Sequence, residues 1–144
     1  MKKYFYSILV MALFAVGFTS SEDSETSNVT QEEVPTNIEA VSVEQMLLDL
    51  DQNEMRAQKK YADKWFEITG TLGNMDSEGE YFSLDGEIWR MADVHCKLPK
   101  EKRNELTNKL INMEKGDRIS VIGKVTDMGE IVGYYVTIVD VYRK

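Results

Sequence analysis

The sequence predicts a mainly β fold: a small five-stranded barrel with an N-terminal helix before it and a second helix between its third and fourth strands. The first observation is a change of apolar period, which is helical over residues 42–62 and then becomes two. The second is another helical pattern over residues 99–113, with three strand patterns before it and two after it.

The first twenty residues predict an export signal. Lys2 and Lys3 precede an apolar run, Tyr4–Phe18, that is shorter than the roughly 20 residues needed to cross a bilayer. Ser21 stands where a bacterial lipoprotein would carry its lipid-modified cysteine, which argues against a lipid anchor. We expect a signal peptide over residues 1–20 and a periplasmic or secreted protein with no stable membrane span after cleavage. An uncleaved anchor is the alternative.

Residues 21–40 predict a disordered acidic linker. They hold six acidic residues, no Lys or Arg and few large apolar side chains. The net charge of the 144-residue chain is −8, yet residues 64–144 carry 12 Lys/Arg against 14 Asp/Glu. The predicted OB-type domain covers residues 41–144, and its part from residue 64 onward, which holds the predicted barrel strands, is therefore nearly neutral. Binding to phosphates usually needs a clear positive excess, so the charge disfavours nucleic acid as a partner.

The N-terminal helix should begin at Ser42. Ser42 and Gln45 have the spacing of a capping box, in which each side chain bonds to the other residue's backbone. One apolar face recurs at steps of three or four residues up to Tyr61, which predicts a single helix that ends near Ala62.

Three strands should follow. Phe66, Ile68 and Leu72 alternate along the first, Lys64–Leu72, and Gly70 suggests a bulge or bend there. A turn is expected over residues 73–79. The next two strands, Glu80–Leu84 and Glu87–His95, are predicted to be joined by the two-residue turn Asp85-Gly86.

The remaining pattern completes the order. Pro99 is compatible with the first position of a helix that reaches Met113. Strands are then expected over Arg118–Asp127 and Ile131–Tyr142, with Gly123 permitting the coiling of a small barrel. Five strands with a helix between the third and the fourth are the arrangement of the OB-fold.

The sequence also resembles a known family. The residues that carry the resemblance are Asn53-Glu54, Ala57, Lys60-Tyr61, Lys64, Thr69-Gly70, Val94-His95-Cys96, Lys115-Gly116-Asp117, Val121 and Gly123. This set is similar to the signature of the tRNA-anticodon-binding-like OB-fold family and covers roughly residues 42–142. The resemblance implies an OB-fold domain in an exported or lipid-anchored bacterial protein, with nucleic-acid binding as the label that the family inherits from its fold.

The sequence predicts no catalytic residues, no metal site and no cofactor. His95 and Cys96 are the chain's single histidine and cysteine, and neighbours in a strand point to opposite faces, so they are poorly placed to act together. Cys96 is expected to pack as a small apolar side chain. We therefore expect a binding protein rather than an enzyme.

OB-folds usually bind ligands across the second and third strands and the adjoining loops. At those positions the sequence predicts a ligand-binding surface made of Tyr81, Trp89, Met91, Tyr134 and Tyr135. Trp89 is expected to point outward, with packing beneath the first helix as the alternative. The basic stretch Lys97–Lys109 is interpreted as a solvated helix face.

Two functions follow from these observations. The preferred one is a non-catalytic module that docks an unknown protein, peptide or glycan of the cell envelope, because the chain is predicted to be exported and its barrel to be nearly neutral. The alternative is binding of single-stranded nucleic acid, which the fold, the family resemblance and the aromatic residues favour.

Overall fold

A computed structural model describes residues 32–86, 92–129 and 131–144. The elements in these ranges are β1 (Glu39–Ser42), α1 (Val43–Gln52), α2 (Glu54–Tyr61), β2 (Trp65–Met75), β3 (Tyr81–Asp85), β4 (Asp93–Lys97), α3 (Arg103–Leu110), β5 (Arg118–Gly129) and β6 (Gly133–Arg143). All of them belong to one compact unit, Glu33–Lys144. No helix within the described ranges is long and apolar enough to cross a bilayer.

Strands β2 to β6 close into a barrel. The neighbours run in the order β2-β3-β4-β6-β5, and β5 pairs with β2 from Trp65↔Lys124 to Thr71↔Arg118 to complete the circle. All pairs are antiparallel except β4 with β6, which are parallel. Since α3 lies between β4 and β5, the predicted OB-fold is confirmed.

Strand β1 is an addition to the barrel that the sequence pattern did not predict. It pairs in parallel with the first half of β2, from Glu39↔Phe66 to Ser42↔Thr69. Two residues assigned to the linker, Glu39 and Ala40, therefore belong to a strand. The barrel-bearing part of the chain begins before residue 41.

The predicted single N-terminal helix is two helices. The Ser42 hydroxyl accepts a hydrogen bond from the Gln45 backbone N–H at 3.2 Å, which confirms the predicted start. Asn53 is extended, and its side-chain oxygen accepts from the Arg56 N–H at 3.0 Å, so Asn53 ends α1 and caps α2. The continuous helix was a wrong prediction because Asn53 bonds more favourably as a cap than within a helix.

The helix pair covers one end of the barrel. Tyr61 of α2 donates a hydrogen bond to the Asp49 carboxylate at 2.6 Å, and Lys60 binds the same oxygen at 2.8 Å. The Tyr61 ring contacts the rings of Phe66 and Tyr134, with centroids 5.2 and 5.4 Å away. Both tyrosines are completely buried, so this end of the barrel is sealed by interlocking aromatic rings.

Of the bulge or bend suggested at Gly70, the bulge is not there. β2 pairs with β5 in unbroken register through this residue, and the irregularity lies between Leu72 and Met75, in the pairing with β3. β2 also continues three residues beyond Leu72, into the predicted turn. Phe66, Ile68 and Leu72 are buried as expected.

The predicted two-residue turn at Asp85-Gly86 is wrong. β3 and β4 pair as Tyr81↔Lys97, Phe82↔Cys96 and Leu84↔Val94. In this register Leu84 pairs with Val94, whereas a two-residue turn would pair it with Glu87. β4 is described from Asp93, and residues 87–91, where this strand was predicted to begin, lie outside the described residues. The apolar pairs decide the register, because a slip of one residue would turn these side chains out of the core.

Helix α3 starts later and ends earlier than the sequence predicted, since it ends at Leu110 rather than reaching Met113. Pro99 opens a turn in which the Lys102 N–H donates to the Pro99 carbonyl at 3.1 Å, and the helix begins at Arg103 without a side-chain cap. Leu106 and Leu110 are buried, as their spacing predicted. α3 covers the second end of the barrel.

Strands β5 and β6 confirm the predicted pair, with two glycines at close approaches. A Cβ on Gly123 would lie 2.5 Å from Val136, beside a shift in register. Gly133 has a φ of +84°, and a Cβ there would lie 1.9 Å from the Asp93 carbonyl oxygen. β4 and β6 can therefore meet only because residue 133 lacks a side chain. The end of β5, Gly129, and the start of β6, Gly133, each lie two residues later than predicted, and these two glycines pair.

Candidate functional site

The outer face of β3, β4 and β6 presents its side chains in rows. The register places Tyr81, Lys97 and Thr137 side by side, and Ser83, His95 and Tyr135 in the next row. The residues between them in sequence point into the core and are buried, as alternation along a strand requires. This face is where OB-folds usually hold their ligands.

A cleft of about 770 Å³ runs over this face, and we call it the barrel cleft. Its lining comprises Glu80, Tyr81, His95, Cys96, Lys97, Leu98, Pro99, Lys100, Arg103, Tyr135 and Thr137. Strands β3, β4 and β6 form the floor, and the turn before α3 forms one wall. The cleft is within the volume range of ligand sites, roughly 300–1,000 Å³.

Two rings stack on the floor of the barrel cleft. The His95 and Tyr135 rings lie 5.0 Å apart at an interplanar angle of 21°. His95 Nε2 also lies 3.1 Å from the Val132 carbonyl oxygen, which fixes the imidazole beneath the loop before β6. Tyr135 is 39% exposed and Tyr81 55%, so both phenol rings are accessible at positions set by the strands.

Cations gather at the α3 side of the barrel cleft. Three of the lining residues, Lys97, Lys100 and Arg103, are basic, and Glu80 is the acid among them. Glu80 accepts a hydrogen bond from Arg103 Nη1 at 3.0 Å, while the buried Nε of Arg103 has no partner among the described atoms. The lining therefore carries net positive charge although the whole chain is acidic.

The opposite side of this face is acidic. Asp85 ends β3 and Asp93 begins β4. Burial, and then the negative charge of Asp85, raise the pKa of Asp93 above its ordinary value, while His95 opposes the shift. An anionic ligand is thus favoured over the Lys97 side of the face and disfavoured over the Asp93 side.

The structure separates the predicted binding residues. Tyr81 and Tyr135 line the barrel cleft. Tyr134 instead points into the barrel, is completely buried and donates a hydrogen bond to the Met46 carbonyl at 2.8 Å, so it cannot contact a ligand on the outer face. Trp89 and Met91 lie outside the described residues.

Sequence reasoning missed the cations of the site. Lys97 and Lys100 were interpreted as part of a solvated helix face, yet they lie on β4 and in the turn before α3, over the barrel cleft. The sequence did contain a signal for these cations, namely the short basic stretch that begins at Lys97, the last residue of the third barrel strand. Its position beside Tyr81 depends on the β3–β4 register, which the sequence did not predict correctly.

Cys96 packs in the core as predicted. It is fully buried, and burial raises the pKa of its thiol well above the ordinary value, so the reactive thiolate is disfavoured. Within the described ranges, no cluster of His, Cys, Asp and Glu side chains is arranged to hold a metal ion.

Comparison with solved structures finds similarity to several proteins. A Klebsiella pneumoniae lipoprotein, provisionally named nucleic acid-binding, is 15% identical, with a TM-score of 0.54 over 72% of this chain and 92% of that one. A provisionally named aspartyl-tRNA synthetase from Leishmania major is 10% identical, with a TM-score of 0.51 over 78% of this chain. A chain of the S. pombe Stn1–Ten1 complex is 16% identical, with a TM-score of 0.45 over 56% of this chain.

The chain spans only 22% of the synthetase and 57% of the Stn1–Ten1 chain. At these identities the similarity to the Klebsiella and Leishmania structures establishes the fold alone, and the TM-score of 0.45 for the Stn1–Ten1 chain carries no argument. No curated protein matches the sequence. A model of the tRNA_anti-like family does match it, over residues 1–134, which is most of its length. The chain therefore belongs to the tRNA_anti-like family, as its sequence signature suggested.

Proposed function

We propose that the chain binds single-stranded nucleic acid in the barrel cleft. The observation that carries the proposal is the meeting of accessible aromatic rings with cations on one face: Tyr81 and Tyr135 lie beside Lys97 and Lys100. Aromatic rings stack on bases, and cations contact the phosphates between them. The names of the family and of the Klebsiella lipoprotein support the same ligand class.

For the binding of a phosphate in the barrel cleft, the charges that line the cleft matter more than the net charge of the whole chain. The net charge of −8 includes six acids of the region 22–39, and surface charges are largely screened beyond about 10 Å at ordinary ionic strength. A phosphate over β4 would meet Lys97 and Lys100 first. The near neutrality of the barrel therefore limits the affinity without excluding this ligand.

The rows on the face suit a short segment of single strand. Tyr81 and Tyr135 occupy adjacent rows, which are two residues or roughly 7 Å apart along the strands. One base can stack on each ring while the backbone passes over Lys97. The acidic side at Asp93 limits the extent of binding, so we expect a site near the small end of the OB-fold range, about four nucleotides.

The stacking contact can be tested with a labelled oligothymidylate of about ten nucleotides, long enough to fill such a site. Tyr135→Leu should weaken binding about tenfold, because stacking on an aromatic ring contributes roughly 1–3 kcal/mol per base. Fluorescence anisotropy at low salt measures the effect.

Tyr142→Leu is the matched control for Tyr135→Leu. Tyr142 lies on the same strand and is 36% exposed, but it donates a hydrogen bond to Glu67 of β2, away from the barrel cleft. Its variant should bind like the wild type. Equal affinity for all three proteins, or no binding at low salt, would contradict the proposal.

The proposed phosphate contacts can be tested by measuring how the affinity for the oligonucleotide depends on the salt concentration. For single strands each phosphate contact contributes about −0.7 to the slope of log affinity against log salt. The double variant Lys97→Gln, Lys100→Gln should flatten that slope by about 1.4. Lys59→Gln removes an exposed lysine of α2 and should leave the slope unchanged. A slope that does not respond to the double variant would exclude these lysines from phosphate binding.

The other predicted function, docking to a protein, peptide or glycan of the envelope, remains a hypothesis. It rests on predicted export and on the near-neutral charge of residues 64–144, and the barrel cleft adds no feature that favours it over a nucleic acid. If oligonucleotides fail to bind while envelope glycans compete for Tyr135, this function replaces the proposed one.

Export itself is part of the proposal. It rests on Lys2, Lys3 and the apolar run Tyr4–Phe18, which lie outside the described residues. N-terminal sequencing of the protein recovered from fractionated cells should show a chain that begins near residue 20. A full-length chain in the cytoplasmic fraction would contradict export.

A further inference from the structure

A second cavity lies at the end of the barrel that α3 covers. It has a volume of about 340 Å³ and is bounded by the loop 76–79 on one side and α3 on the other; we call it the end pocket. Its floor is apolar and buried, with Phe82, Leu98 and Leu110 as its deepest members. Its rim includes Ile111, which is 77% exposed.

The loop that forms the rim is ordered by its own hydrogen bonds. One carboxylate oxygen of Asp76 accepts from the backbone N–H groups of Glu78 and Glu80, each at 3.2 Å. Gly79 has a φ of +69° and lies against Thr107 of α3, where an added Cβ would be 3.0 Å from the hydroxyl oxygen. The end pocket is therefore a preformed cavity between a fixed loop and a helix.

The charge around the end pocket has one sign. Of its twelve lining residues the charged ones are Asp76 and Glu78, both acidic. The barrel cleft has the opposite character, although Tyr81 and Leu98 line both cavities. A phosphate-bearing ligand that suits the barrel cleft is thus repelled from the end pocket.

We propose that the end pocket binds a peptide segment of a partner protein, in which one bulky apolar side chain is flanked by Lys or Arg. The volume is at the small end of the range for binding pockets, which suits a single anchoring side chain. Ile111 and Met75 extend the apolar contact at the rim, and Asp76 and Glu78 complement the flanking cations. This partner goes beyond the proposed function and does not depend on it.

The test uses the full chain and three fluorescent peptides. Lys-Lys-Ser-Phe-Lys-Lys should bind, whereas Glu-Glu-Ser-Phe-Glu-Glu and Lys-Lys-Ser-Ser-Lys-Lys should bind at least about tenfold more weakly, since each lacks either the charge or the apolar anchor. Equal binding of all three peptides, or no binding of the first, would overturn the proposal.

Two variants locate the contact. Ile111→Asp places a charge at the rim and should weaken binding of the first peptide about tenfold. Met55→Asp is the matched control, because Met55 is 74% exposed on α2, at the other end of the barrel, and its variant should bind normally. Glu78→Lys should weaken binding of the same peptide and improve that of the acidic one.

A second copy of the chain is the other possible occupant. Sedimentation of the wild type and of Ile111→Asp distinguishes it: a dimer that becomes a monomer in the variant, without peptide binding by the wild type, would replace the proposed partner by self-association. A wild-type monomer that binds the basic apolar peptide supports the proposal. Oligonucleotide binding should be the same in Ile111→Asp as in the wild type.

Discussion

The two ends of the barrel are closed in different ways. At one end α1 and α2, each with a side-chain cap, bury Tyr61 and Tyr134 and satisfy their hydroxyl groups with Asp49 and the Met46 carbonyl. At the other end a single uncapped helix, α3, leaves the end pocket between itself and the loop 76–79. We call the end closed by α1 and α2, which a polar network joins, the sealed end. The end closed by the short helix α3, which leaves a cavity, is the covered end.

This difference between the two ends suggests that the residues that stabilise the fold and the residues of the proposed binding sites lie at different ends of the barrel. The sealed end holds the largest buried aromatic side chains, and the covered end holds the end pocket beside the cationic wall of the barrel cleft. If this division is correct, substitutions at the sealed end should affect folding most, and substitutions at the covered end should affect binding most.

The largest expected effect is at the sealed end. Tyr134→Ala removes a completely buried ring and its bond to the Met46 carbonyl, and should lower the free energy of unfolding by about 3–5 kcal/mol. Urea denaturation measures the change. Tyr142→Ala, on the exposed side of the same strand, should cost far less, and equal losses would break the comparison.

A smaller loss of stability is expected from a substitution at the covered end. Leu110→Ala should lower the free energy of unfolding by about 2 kcal/mol, the low end of the range for buried leucines, because Leu110 already borders the end pocket. The same urea titration gives the value. A loss as large as that of Tyr134→Ala would show that the two ends are packed alike.

The stability that the polar network of the sealed end contributes should depend on pH. Burial raises the pKa of Asp49, but hydrogen bonds from Lys60 and Tyr61 outweigh it and hold the pKa below the ordinary value of 3.8. A depressed pKa adds stability above pH 3.8 that is lost as the pH falls through the folded-state pKa. Asp49→Asn should therefore destabilise the protein by about 1 kcal/mol at neutral pH.

The measurement for Asp49→Asn is the difference between the two unfolding free energies as the pH is lowered. It should shrink towards zero well below pH 3.8. A difference that is independent of pH would mean that the carboxylate charge does not stabilise the helix pair.

The smallest effects concern the helix caps. Ser42→Ala should cost about 1 kcal/mol, since it removes a cap bond, whereas Lys102→Asp should stabilise α3 by about 0.5 kcal/mol by placing a negative charge at its N-terminus. Thermal unfolding reports both changes. A loss of stability in Lys102→Asp would show that another contact of Lys102 outweighs the interaction of the new charge with the helix dipole.

The sequence was sufficient for the fold because its decisive signals are periodic. The positions of Phe66, Ile68 and Leu72, and the apolar stripe that contains Leu106 and Leu110, place strands and helices correctly in spite of shifted boundaries. The alternation also contained the correct orientation of Tyr134, which shares its parity with the buried Val136 and Ile138. The prediction that Tyr134 and Tyr135 both belong to the ligand-binding surface ignored that signal, because neighbours in a strand point to opposite faces.

Other features could not be read from periodicity. Asn53 is compatible with the helical pattern on both sides, and its role as a cap depends on the folding back of α2 onto α1. The β3–β4 register is decided by apolar pairs such as Phe82 with Cys96, and the local signal of Asp85-Gly86 pointed elsewhere. The cations of the barrel cleft come together only after that register is fixed.

Strand β1 has a mechanical consequence. It holds four residues in parallel beside β2 and is followed at once by α1, whose apolar face is locked into the barrel. Tension applied through the chain before residue 39 would act first on these four pairings, and their release would stop at the buried side chain of Val43. We expect β1 to detach from β2 as a short extensible segment under load while the barrel cleft keeps its shape.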